Sequence, residues 1–203
     1  MEPSEQINQE KNPQEKLTWQ QSIVLYLNDL TYMLIAIVLV FLLLFRVIVV
    51  SGDSMKQTLI DGDYLLLLSN VFYREPQPGD IIVASKDSYD NGSAIIKRVI
   101  ATEGQIVDID FEHGIVYVDG LPLEEPYINN LTTRQEGILF PLIVEEGCIF
   151  VLGDNRDVSK DSRHPEIGLI DTREVLGKAL FLMVPGVDEE TEHRDFDRTG
   201  AIR

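Results

Sequence analysis

Three short segments carry side chains that could act together. The first is Ser51-Gly52-Asp53-Ser54-Met55-Lys56-Gln57-Thr58-Leu59, where a serine hydroxyl follows a β-branched run and a glycine. A hydroxyl at such a corner can serve as a nucleophile if a base lies within reach. The second is Ala94-Ile95-Ile96-Lys97-Arg98-Val99-Ile100. Read as a strand, it puts Lys97 on one face with Ile95 and Val99, and Arg98 on the other with Ile96 and Ile100. An ammonium held among such residues is costly to keep charged, so its pKa falls and it becomes a base near neutral pH. The third runs Gly153-Asp154-Asn155-Arg156-Asp157-Val158-Ser159-Lys160-Asp161-Ser162-Arg163, a dense polar stretch after the apolar Ile149–Leu152.

Each segment alone has an ordinary reading. A serine in a glycine turn is usually structural. A strand lysine can reach water and guard a sheet edge. The polar stretch fits a surface loop or a hydrogen-bond network. A Ca²⁺ site is disfavoured, because the EF-hand spacing is absent and Arg156, Lys160 and Arg163 would repel the ion.

The elements that must position these groups are legible around them. The chain has 203 residues, 44% of them hydrophobic, which suffices for one domain with a core. Its net charge of −17 argues against a nucleic-acid partner. The single cysteine, Cys148, precludes an internal disulfide and reads as a buried, inert thiol at a strand start. His113, His164 and His193 sit in polar segments and read as surface residues. Residues 1–21 are polar and read as a disordered arm. Residues 22–46 hold the uncharged run Tyr32–Phe45. With Asn28 and Asp29 at one interface and a snorkelling Arg46 at the other, they approach the roughly 20 residues that span a bilayer. No small-x-small site follows, so a retained anchor is favoured over a cleaved signal. The positive-inside signal is weak, with Lys11 and Lys16 on one side and Arg46 on the other.

After the anchor come short strands punctuated by glycine and proline: 47–50, 63–68, 81–84, 93–101, 106–109, 115–118, 147–152 and 177–184. Asp119-Gly120 signals a hairpin turn. The pattern predicts a mainly β, antiparallel, barrel-like domain over residues 47–185. Residues 186–203 read as a polar tail that frays.

Together, in this order and behind an anchor, the segments resemble type I signal peptidases. Ser54-Met55-Lys56-Gln57-Thr58-Leu59 matches that family's Ser-Met-x-Pro-Thr-Leu box, and Asp61-Gly62-Asp63 its Asp-Gly-Asp step. Lys97-Arg98-Val99 matches its Lys-Arg-Val box, and Gly153 to Arg163 matches its Gly-Asp-Asn-Arg-x-x-Ser-x-Asp-Ser-Arg box in full. The resemblance implies a membrane-bound serine endopeptidase with Ser54 as nucleophile and Lys97 as general base. It implies an oxyanion hole built on the Ser54 N–H. Gly52 stands where some members carry a helping serine. Met55 and the strand Ile81–Val83 are candidate pocket linings. It gives Ser159, Asp161 and Arg163 the task of holding Lys97, with Asp154 and Asn155 in the same network. It implies no metal and no cofactor. The implied partners are preproteins with signal peptides, cut after small-x-small sites, together with the lipid bilayer and proximity to the secretion translocon. The implied location is the cell membrane, single-pass, with a cytoplasmic arm and an extracytoplasmic peptidase domain.

Two departures stand out. Gln57 replaces the family's usual proline, which predicts a looser turn. Thr102-Glu103-Gly104-Gln105 replaces a usual Pro-Gly-Asp stretch. Rival readings are the self-cleaving repressor proteases, which would need a DNA-binding domain, and a non-catalytic signal-peptidase-like assembly factor, which would lack the dyad.

Overall fold

The computed structural model describes residues 18–86, 89, 92–188 and 191–202. The expected arm therefore lies outside the described residues up to residue 17. Two compact units divide the chain, residues 1–41 and 42–203.

In the first unit the helix α1 spans Trp19–Leu44, three residues earlier at its start and two at its end than the hydropathy suggests. The early start has a local cause. The Thr18 hydroxyl accepts from the Gln21 N–H at 3.4 Å, and the Gln21 side chain accepts from the Thr18 N–H at 2.9 Å. This is a capping box, which satisfies donors that would otherwise be orphaned. At its 26 residues, α1 is about 39 Å long, enough to cross a hydrocarbon core of about 30 Å. Arg46 does not cap the helix. It lies in a strand opposite Leu67.

The second unit is built from β1 (Phe45–Val49), β2 (Tyr64–Ser69), β3 (Ile81–Ser85), β4 (Ala94–Thr102), β5 (Ile106–Asp110) and β6 (Ile115–Val118). It continues with β7 (Leu121–Pro122), β8 (Leu142–Ile143), β9 (Cys148–Leu152), β10 (Ile170–Asp171), β11 (Val175–Val184) and β12 (Gly200–Ala201). An eight-stranded sheet runs β1-β2-β11-β3-β4-β9-β10, with β12 also on β11. A four-stranded sheet runs β7-β6-β5-β8. Every pairing is antiparallel. The mainly β class is as expected, but the described strands do not close into a barrel. β1 pairs only with β2, and β9 pairs with β4 only from Arg98 onward. Among the described residues, β1 past Phe45 and the first residues of β4 thus each have a ladder partner on one side only.

The turns obey local chemistry. Asp119 and Gly120 both take positive φ, 53° and 78°, as a two-residue type I′ hairpin between β6 and β7 requires. β4 is buried on both faces, because Ile95 and Val99 join one apolar cluster and Ile100 and Ala101 another. A register shift between Val99 and Ala101 resets the alternation. The second cluster ties the two sheets together: Ile100 and Phe150 from the large sheet meet Val107, Ile109 and Val116 from the small one.

The tail departs from expectation. Residues 200–201 pair with Leu182 and Phe181 on β11, and Ile202 packs against the core. His164 is half-buried and not fully at the surface, its Nδ1 accepting from the Glu166 N–H at 3.1 Å.

Phe150 is fully buried, with the Phe140 ring edge-on at 5.8 Å. Phe150→Ala is expected to destabilise the folded chain by roughly 3–5 kcal/mol. Denaturant unfolding of the full chain in detergent checks this, and a loss below about 1 kcal/mol would contradict the sheet-to-sheet packing.

Candidate functional site

Ser54 sits just beyond the end of β1. The Val50 N–H donates to the Asp63 carbonyl at 2.8 Å, and the Gly62 N–H to the Val50 carbonyl at 3.0 Å. Gly52 then turns the chain with φ +85°, a conformation open to glycine at little cost. Two overlapping turns follow, with Lys56 N–H on the Asp53 carbonyl and both Thr58 N–H and Leu59 N–H on that of Met55. Met55 and Leu59 are buried in the core cluster, so the turn is pinned by its apolar side chains while Ser54 stays half-exposed. Asn155 holds it from the other side: its N–H donates to the Ser54 carbonyl at 3.0 Å and its side-chain amide to the Asp53 carbonyl at 3.1 Å.

Lys97 comes from β4, opposite Ile82 of β3. Its Nζ lies 2.8 Å from Ser54 Oγ and donates to the Ile96 carbonyl at 3.0 Å. It is 4% exposed and makes no ion pair among the described residues. Burial lowers its pKa to about 8, opposed by the nearby negative charges of Asp161 and Asp154 and reinforced by Arg163.

The third segment explains why those carboxylates do not capture the ammonium. Asp154 takes two hydrogen bonds from Arg98, Nε to Oδ1 at 2.9 Å and Nη2 to Oδ2 at 2.7 Å. Asp161 takes two from Arg163, both at 2.9 Å. Each aspartate is already matched to a guanidinium fork, the geometry that suits it best. Ser159 is fully buried beside them, and its Oγ has no hydrogen-bond partner among the described residues. Gly153 explains the close fit: a Cβ there would lie 2.2 Å from Ser159 Oγ and 2.5 Å from the Ser54 carbonyl.

A cavity of about 770 Å³ opens onto Ser54 and Lys97. Gly52, Met55 and Val83 line it, whereas Ile81 and Ile82 do not. Its walls include Ile48–Val50 after the helix and Ser93–Ile96 of the lysine strand. The arrangement is a hydroxyl hydrogen-bonded to a buried amine of lowered pKa in a partly apolar cleft. Chemically, that can generate an alkoxide-like nucleophile without a histidine.

A family model described as signal peptidase, peptidase S26, matches residues 23–184. The chain belongs to the signal peptidase family. A "Probable signal peptidase I-1" of Synechocystis sp. is 39% identical, over 78% of this chain and 82% of that one. A signal peptidase I of Bacillus licheniformis is 34% identical, over 75% of this chain and 85% of that one. A solved structure of a signal peptidase I from Enterococcus faecalis V583 is 32% identical, covers 51% of this chain and 96% of that one, and superposes with a TM-score of 0.43. This peptidase is thus a serine enzyme of that family. Its one long apolar helix fits a membrane-anchored protein by length and composition.

Several groups around the site escape a reading of single segments. Arg98 looks like a strand residue on the face away from Lys97, yet it is the fork that occupies Asp154. Thr58 Oγ1 also donates to Asp154 Oδ2, at 2.5 Å. Asn129, in a loop with no motif, has its N–H on the Asp154 carbonyl at 2.9 Å and accepts from the Gln57 amide at 3.3 Å. The signal for Arg98 was a second cation beside Lys97 in an apolar strand. For Asn129 no sequence signal exists. Gln57 itself has φ +87°, a conformation proline cannot adopt, so the turn is not a loosened version of a proline turn. It is a different turn.

In the folded peptidase the Lys97 pKa lies below its ordinary value of 10.5, so the unfolded chain binds more protons between pH 8 and 10.5. The stability contribution of Lys97 therefore rises with pH across that window and is constant and unfavourable below it. Lys97→Met is expected to raise stability at pH 7 by up to about 3 kcal/mol, with the gain shrinking toward pH 10.5. Unfolding midpoints at pH 7 and pH 10 check this. A loss of stability at pH 7 would mean that the ammonium is paired after all.

Proposed function

We propose that Ser54 and Lys97 are the catalytic pair of this peptidase, and that it removes signal peptides from secreted preproteins by cutting after small-x-small sites such as Ala-x-Ala. The single observation that carries this reading is the 2.8 Å contact between the Ser54 hydroxyl and a buried lysine amine.

With a pKa of about 8, about one-tenth of Lys97 is neutral at pH 7. Neutral Nζ takes the Ser54 proton as Oγ attacks the scissile carbonyl. The resulting ammonium returns that proton to the leaving amine as the carbon–nitrogen bond breaks. A water then gives its proton to Nζ and attacks the acyl ester, and as the ester bond breaks Nζ returns that proton to Oγ, which releases the new carboxyl end and restores Ser54. The oxyanion falls to the Ser54 N–H, which has no acceptor among the described residues. The Gly52 N–H cannot share the task, since it donates to Asp61 Oδ1 at 2.8 Å. The orphaned Ser159 hydroxyl suits a contact that fixes the lysine amine once substrate displaces solvent. Asp154, Asn155, Asp161 and Arg163 keep the two reacting groups in place.

Edges on β1 past Phe45 and on the start of β4, with a strand partner on one side only among the described residues, suit a substrate bound in extended form, adding a strand on the cleft. Met55 and Val83 give that cleft the shallow apolar floor that small side chains need. The helix holds the enzyme at the bilayer, where a signal peptide leaves its cut site at the outer surface. Placing the domain after the helix outside the cytoplasm, with residues 1–21 inside, brings the two together. Tethering of this kind raises effective concentration and places the enzyme near the translocon.

The test is cleavage in detergent of a preprotein carrying an Ala-x-Ala site. Wild type is expected to cut it, and Ser54→Ala and Lys97→Ala to lose activity by on the order of 10⁴-fold or more. Cleavage surviving Lys97→Ala would remove the lysine from its role as base. The value of kcat/KM is expected to rise with pH and level off above about 8, as the amine loses its proton. A flat profile between pH 6 and 9 would contradict a lysine base.

A further inference from the structure

The family match ends at residue 184, but the chain beyond it returns to the catalytic turn. A short 3-10 turn, Phe196–Arg198, leads into β12 and is capped by the Asp195 side chain, which accepts from the Asp197 N–H at 3.0 Å. Pairing of β12 with β11 fixes this segment, and the Ile202 N–H donates to the Leu180 carbonyl at 3.0 Å. Arg198 is thereby aimed at Asp63, a carboxylate with no exposed surface. Its Nη1 meets Oδ1 at 3.1 Å, its Nη2 meets Oδ2 at 2.8 Å, and Nη2 also reaches the Thr58 carbonyl at 3.3 Å.

Asp63 also accepts from the Ile60 N–H of its own turn at 2.9 Å and from the Gly186 N–H of the segment after β11 at 2.6 Å. Gly186 presses its backbone on the same turn, since a Cβ there would lie 2.1 Å from the Asp61 carbonyl. The clasped turn in turn grips the chain on both sides of Ser54. Upstream, Asp63 holds Val50 through its carbonyl and Asp61 holds Gly52 through its side chain. Downstream, Thr58 is held at its carbonyl by Arg198 and at its hydroxyl by Asp154. Arg198, Asp63 and Thr58 do not line the substrate cleft.

We infer that Arg198 is a positioning residue for the reaction at Ser54, acting from the C-terminal segment to fix the Thr58–Asp63 turn and so to aim the Ser54 hydroxyl and N–H. This rests on the assignment of Ser54 as nucleophile. Because Arg198 lies off the cleft, its loss should leave substrate binding nearly intact and slow the chemistry. Misplacing a reacting group by a fraction of an ångström to 1 Å costs up to about 10²-fold in rate. A cavity of about 330 Å³, lined in part by Gln57, Asn129 and Arg198, opens beside the guanidinium and gives a small cation a way in.

The experiment is steady-state cleavage of an Ala-x-Ala preprotein by the full chain in detergent, with thermal melts alongside. Arg198→Ala is expected to lower kcat by on the order of 10–100-fold with KM within about threefold. Tens of millimolar guanidinium should restore much of that kcat, and Arg198→Lys should retain part of it. Arg198→Ala leaves a buried carboxylate unpaired and could unfold, so Arg198→Ala/Asp63→Asn is the deciding variant. It removes both charges and leaves the Thr58 carbonyl unheld, so a folded protein with low kcat is expected. A folded double variant that turns over at the wild-type rate overturns the inference, as does a loss confined to KM. Wild type and Ser54→Ala in the same assay separate the two readings. If wild type cuts, Ser54→Ala does not, and the double variant matches wild type, only the role of Arg198 fails. If wild type does not cut, the serine assignment fails and this inference fails with it.

Discussion

An ammonium surrounded by carboxylates that it cannot have is the constraint on which the site depends. Lys97 is buried near Asp154 and Asp161, and either could neutralise it and lock it in the charged state. Each instead binds a guanidinium through two hydrogen bonds, from Arg98 and Arg163. The amine keeps the cost of burial without the compensation of a partner, and its pKa falls to about 8. The two guanidinium pairs thus hold both carboxylates in place near the buried amine.

The rest of the domain serves two demands set by that arrangement. The amine must stay dry, and the hydroxyl must stay reachable. The first is met by burying β4 on both faces between apolar clusters. The second is met by leaving the large sheet open. Among the described strands, β1 and the start of β4 each have a ladder partner on one side only, and residues of both line the cleft onto Ser54. A closed barrel would satisfy those strand edges internally.

The Ser54 turn is held from several directions at once. Core side chains anchor Met55 and Leu59, Asn155 holds the carbonyls of Asp53 and Ser54, and the clasp of Asp63 by the tail fixes the return strand. Such over-determination lets Gln57 keep a positive φ that costs a non-glycine residue energy. Asn129 adds a side-chain contact to Gln57 and joins it to the Asp154 loop.

By itself the sequence determined the class of fold, and its resemblance to a known family pointed to that family. Alternating apolar strands, glycine and proline turns and one apolar run carried the fold class, because those are local patterns with local causes, whereas the three boxes spoke only together, through their likeness to a known family. Ser54 and Lys97 were legible as residue types. So was Asp119-Gly120, whose turn depends only on its own φ values. The helix start was missed by three residues because the Thr18–Gln21 capping box lies outside the hydropathy pattern. Only the tertiary structure decided that the sheet stays open, that Arg98 belongs to Asp154, and that Arg198 returns across 135 residues of chain to Asp63. These are pairings between groups far apart in sequence. Which of several arginines meets which aspartate is fixed by the geometry of the folded sheets, and no spacing along the chain encodes it.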